Sequence, residues 1–85
     1  MSTHPHRFAK PQGMAHRARI AALIVPRLAV GTRLPPGQLI GRWLGICQQE
    51  AHRHMRQVLA EAGFVTETRG RRIYVVSIPE WRAAA

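Results

Sequence analysis

The sequence predicts a mainly helical α+β domain, with three helices followed by a C-terminal two-stranded β-hairpin. Three observations carry this. Apolar residues recur at helical spacing in three segments, and each segment closes on a residue that stops a helix: Pro26, Gly45 and Gly63. After Gly63 the pattern changes to two short runs rich in β-branched and aromatic residues, FVTET (64–68) and RIYVV (72–76), joined by Arg69, Gly70 and Arg71. The third observation is size: 85 residues at 46% hydrophobic content suit one modest core and are too few for a second domain carrying an independent active site.

Residues 1–13, with Pro5, Pro11, Gly13 and scattered His, Arg and Lys, read as a flexible basic arm. The first helix is expected from Met14 to Val25, with Ala15, Ala18, Ala22 and Val25 as its apolar stripe and Ile20, Leu23 and Ile24 beside it. RLAVGTRLPPG (27–37) has room for a short extended piece at Arg27 and Leu28, a turn near Gly31, and a Pro pair that can start a helix. A short second helix from Pro36 to Leu44 then turns Ile40, Trp43 and Leu44 toward the core. The third runs from Gln48 to Ala62 on the stripe Ala51, Met55, Val58, Leu59 and Ala62. The domain is placed at residues 14–76. Residues 77–85 form a short tail whose Trp81 packs on this domain or on a partner.

Charge narrows the choice of partner. Thirteen Lys and Arg against four acidic residues give a formal net charge of +9, a self-repulsion that an acidic polymer would relieve. Only Lys10 among the cations is lysine, and Arg suits bidentate contact with phosphate and guanine. GC-rich coding produces the same bias, which lowers its weight. The single Cys47 excludes an internal disulfide framework and a Cys-rich zinc module. The longest apolar run, IAALIV, falls far short of the roughly 18 residues a membrane span needs, and the N-terminus has no signal-like segment. A cytoplasmic, nucleoid-associated protein without a membrane partner is the expectation.

Two helices joined by a tight Gly-containing turn, with a polar face on the second, form the helix-turn-helix arrangement that places one helix in the major groove. Gln48, Gln49, His52, Arg53 and Arg56 follow the i, i+1, i+4, i+5, i+8 spacing of a single helix surface. Gln and Arg make paired hydrogen bonds to adenine and guanine edges, whereas a merely solvated face carries mixed Glu and Lys. At the hairpin tip Arg69, Gly70, Arg71 and Arg72 add dense positive charge, with Gly70 allowing close backbone approach to a phosphate or minor groove.

GTRLPPGQLIGRWLGICQ (31–48) resembles the winged-helix signature of the gluconate-repressor (GntR) type of bacterial regulators, G-T-x-L-P-S-E-x-x-x-L-A-x-x-L-G-V-S-R. Gly31, Thr32, Leu34, Pro35, Ile40, Gly41, Leu44, Gly45 and Ile46 fall in register without a gap. GFVTETRGRRIYVV (63–76) is similar to the family's wing, so the resemblance covers about residues 14–76. It implies a three-helix winged helix-turn-helix fold and binding of duplex DNA. The sequence departs from the pattern at Cys47-Gln48, where the family has Ser-Arg, at Pro36-Gly37, where it has Ser-Glu, and at Arg72, where it has the second wing glycine. The segment from Ala51 to Gly63 is one residue longer than usual. With nine residues beyond the wing, no small-molecule effector domain is expected.

The expected function is sequence-specific duplex-DNA binding in transcriptional regulation, by a homodimer or a cooperative assembly on repeated sites. Gln48, Gln49, His52 and Arg53 are the candidates for base contacts. Arg33, Arg42, Arg56, Arg69, Gly70, Arg71 and Arg72 are candidates for the backbone or minor groove. Two alternatives stand beside this: an excisionase-like architectural factor of a mobile element, and a winged-helix protein-interaction module. No Ser-His-Asp arrangement, carboxylate pair or phosphate loop is present, so no enzymatic activity and no cofactor are expected. His52 and His54 point to different helix faces, which disfavours a shared metal, and His54 reads as a packing residue. Ser2-Thr3-His4 would chelate copper or nickel only if Met1 is removed. Cys47 reads as a turn or cap residue before a redox switch, and Trp43 as a core or core-edge residue before a base-stacking platform.

Overall fold

The computed structural model describes residues 11–83; the proposed basic arm up to Lys10, with Ser2-Thr3-His4, lies outside them. Helix α1 spans Pro11–Ile24, so residues 11–13 belong to the helix. Proline suits a first turn because its missing N–H has no partner to lose there. Pro26 then tightens the chain into a 3₁₀ turn over Val25–Arg27, and Leu28 leaves it extended, at φ −83° and ψ 137°.

The face that α1 buries differs from the expected one. Ile20 and Ile24 enter the core with Ala21 and Val25 against it, whereas Ala15, Ala18 and Ala22 are exposed. Burial energy follows the area removed from water, and two isoleucines outweigh a stripe of alanines. Of the extended piece expected at Arg27–Leu28, Leu28 is extended and Arg27 lies in the 3₁₀ turn, while the strand-like pairing comes further along. Arg33 forms an antiparallel bridge with Tyr74, supported by Gly31 N–H to Val75 O (2.8 Å), Val75 N–H to Thr32 O (2.9 Å) and Leu34 N–H to Ile73 O (2.8 Å).

Helix α2 spans Gly37–Leu44, with extended Pro36 just before it; the Pro36 carbonyl accepts from the amides of Leu39 (3.0 Å) and Ile40 (3.2 Å). Gly45 stops the helix at φ 74°, a left-handed conformation that side chains with a Cβ resist. Ile40 and Leu44 are buried, but Trp43 is 42% exposed and not a core residue. Helix α3 spans Gln48–Ala62 and buries Ala51, Met55, Val58 and Leu59, with Ala62 at the edge.

Strands β1 (Val65–Arg69) and β2 (Arg72–Ser77) pair antiparallel, with an irregularity between Val65 and Thr66. The two-residue turn has Gly70 at φ 65° and Arg71 at negative φ, the pattern of a type II′ hairpin turn. Helix α4 (Glu80–Ala83) returns to the domain. Trp81 meets Phe64 edge-to-face at 6.1 Å and donates to Ala62 O at 3.0 Å, while Arg82 donates to Pro26 O at 2.6 Å.

One core joins α1, the 28–34 segment, α2, α3, Phe64 and Val75. The result is a winged helix-like α+β fold in which α3 is covered by α1 and α2 and flanked by the hairpin. No helix among the described residues is long and apolar enough to cross a membrane.

Candidate nucleic-acid interface

The first turn of α3 is placed by two close backbone approaches. A Cβ on Gly41 would stand 2.7 Å from the Ile46 carbonyl oxygen, so α2 can lie against the turn only with glycine there. A Cβ on Gly37 would stand 3.0 Å from Gln48 O and 3.2 Å from His52 Cβ. Gly37 thus occupies the place of a capping Glu in the resemblance but lets the start of α2 press on α3. Cys47 precedes α3 with extended backbone and makes no side-chain capping bond.

Between this first turn, the Arg33–Gly37 segment and the hairpin runs a groove of about 380 Å³. Arg33, Gln48, Gln49, His52, Arg71 and Arg72 line it, and no carboxylate does. Arg33 arrives through its bridge to Tyr74, which makes residues 32–34 a short third edge of the wing. That edge is absent from the hairpin pattern. In the structure Arg33 is exposed and Leu34 buried, and no local sequence pattern encodes the edge.

The other expected residues lie outside the groove. Arg53 and Arg56 are exposed on the outer face of α3, Arg42 is exposed in the last turn of α2, and Gly70 sits at the tip of the hairpin. Arg69 is engaged locally: its Nε donates to Glu67 Oε1 at 3.1 Å and its guanidinium stands 5.2 Å from the Tyr74 ring centre. The structure therefore gathers six of the eleven candidates in one cleft and extends it along α3 with Arg53 and Arg56.

The acids near α3 are turned away or occupied. Glu50 approaches His54 at 3.7 Å on the opposite side, and Glu67 is paired with Arg69. His54 is buried, and Arg17 donates to its Nδ1 at 3.3 Å, which leaves its proton on Nε2 toward Glu50. Burial pushes its pKa below the ordinary value, Arg17 pushes the same way, and Glu50 partly opposes them. His54 is thus a packing residue. Among the described residues no three His, Cys, Asp or Glu side chains are placed to hold a metal.

Such a cleft offers amide and imidazole groups for base edges on one wall and guanidinium groups for phosphates on the other. No family model, curated protein or solved structure matches this chain.

Proposed function

We propose that this protein is a sequence-specific duplex-DNA-binding factor, in the simplest case a small bacterial transcriptional regulator. Helix α3 enters the major groove, and the hairpin lies on the adjacent backbone or minor groove. The observation that supports this most is the cleft itself. Gln48, Gln49 and His52 share it with Arg33, Arg71 and Arg72, without a carboxylate among them. The resemblance of residues 14–76 to GntR-type regulators points the same way, and a net charge of +9 supplies the non-specific attraction from which a specific search starts.

One such surface reads few base pairs, so two or more copies on repeated half-sites are part of the proposal. A cytoplasmic, nucleoid-associated location would follow from that role. Selection from a random duplex library with the purified protein at fixed salt tests the reading. Recovery of a consensus bound on the order of 10³-fold or more tighter than random duplex supports it. A library that emerges unenriched, bound no better than heparin, refutes it and favours a protein-interaction module.

A further inference from the structure

A second groove, of about 460 Å³, lies between α1 and α2, on the far side of the Arg33–Pro35 segment from the α3 cleft. Its walls are apolar, and three large side chains remain open to solvent on them: Leu23 at 38%, Leu39 at 53% and Trp43 at 42% exposure. Exposed apolar side chains grouped along one groove mark interaction surfaces more often than scattered ones do. The rim is cationic. Arg27 and Arg33 line the groove, and the Arg19 guanidinium stands 5.2 Å from the Trp43 ring centre. Residues 1–49 contain no Asp or Glu, so no acid of α1 or α2 offsets this charge.

That combination selects among occupants. A second copy docked symmetrically through this face would set Arg19, Arg27 and Arg33 against like charges, an arrangement that costs association. The chain's own N-terminal segment, residues 1–10, is itself basic and carries no acid. DNA would satisfy the arginines but not the indole and leucines. An amphipathic helix with apolar residues at i, i+3, i+4 and i+7 and carboxylates on its flanks satisfies both. We propose that the α1–α2 groove is a docking site for an acidic amphipathic helical segment of another protein. Leu23, Leu39 and Trp43 take its apolar face, and Arg19 and Arg27 take its carboxylates, Arg33 being shared with the α3 cleft.

The probe is a synthetic helical peptide of about four turns with Leu at the four face positions and Glu at the remaining ones. Its controls are a scrambled peptide of identical composition and a Lys-for-Glu peptide. Titration into the full-length protein is followed by NMR shifts. The expected result is saturable binding with the largest shifts at Leu23, Leu39 and the Trp43 indole, at least about tenfold tighter than for the scrambled control, and no binding of the Lys peptide. Leu39→Glu, at a solvent-exposed position, is expected to weaken the peptide at least about tenfold while leaving the folded spectrum and duplex-DNA affinity near wild type; Trp43→Ala is the second variant. Several results would overturn the proposal: equal affinity for the scrambled peptide, shifts centred on Gln48–Arg56 and the hairpin, or no saturable binding. So would a concentration-dependent dimer abolished by Leu39→Glu, which would make a second copy the occupant.

Discussion

At the scale of single residues, the proposed function implies a division of labour between side chains that read bases and side chains that hold phosphates. Gln49 and Arg53 stand on exposed turns of α3 with groups suited to base edges, whereas Arg71 stands at the hairpin turn, which the proposal lays on the phosphate backbone or minor groove. Gln49→Ala or Arg53→Ala should cost about 1–3 kcal/mol on the selected site and little on random duplex. Arg71→Ala should weaken both alike and flatten the salt dependence by about one unit of slope. Equal losses on both duplexes for all three variants would contradict the division. His54 gives a second prediction. Its folded pKa lies below the ordinary 6.5, so in the window just below 6.5 the unfolded chain binds the proton first. Stability is then highest above about pH 6.5, falls as pH drops through that value, and levels off below the folded pKa. Urea unfolding between pH 5 and 8 should show this loss, and His54→Phe should reduce it; an unchanged pH profile in the variant would assign the effect elsewhere.

At the scale of elements, the joint between α2 and α3 is set by backbone contact. The 2.7 Å approach of a Gly41 Cβ to Ile46 O leaves no flexible side chain to yield, so Gly41→Ala must move the turn. A loss of about 1–3 kcal/mol is expected, together with weaker DNA binding because the first turn of α3 shifts. Unaltered stability and affinity would show that the turn accommodates a methyl group. Helix α4 acts as a clasp: Trp81 closes on Phe64 and Ala62, and Arg82 bonds the carbonyl of Pro26. Trp81→Ala should cost about 1–2 kcal/mol in thermal or chemical unfolding without changing the salt slope of DNA binding. A changed slope would mean that the tail touches the nucleic acid.

Elements also show where sequence patterns inform and where they do not. Helix α3 matches its expected range, Gln48–Ala62, because large apolar residues repeat along one stripe and Gly45 and Gly63 bracket it. In α1 the periodicity of alanines misleads: the many small residues give no marked face, and the buried side is fixed by Ile20 and Ile24. The spacing of Trp43 beside Leu44 predicts an inward or core-edge side chain, yet it lies half open under Arg19, because α2 packs through Ile40, Gly41 and Leu44. The third edge at Arg33 is a single bridge held by tertiary contact, and no local pattern encodes it. Of the candidate site, the α3 face was readable from helical geometry. The membership of Arg33 and the local engagement of Arg69 required the hairpin's position against α3.

For the whole molecule, the central claim is a polarity of surface. The α3 face and the wing bring Gln48, Gln49 and His52 together with Arg33, Arg71 and Arg72, the groups to which the proposal assigns base and phosphate contacts, while a separate apolar groove lies between α1 and α2. A charge of +9 alone would attract DNA to every face, and raising the salt removes that attraction first. NMR titration of the full-length protein with a duplex carrying the selected sequence, at about 0.15 M salt, where charges are screened beyond roughly 8 Å, separates the two cases. The largest shifts are predicted at Gln48, Gln49, His52, Arg53 and residues 69–72, with little change at Leu39, Trp43 and Trp81. Shifts spread evenly over the arginines, or centred on α1 and α2, would contradict the account.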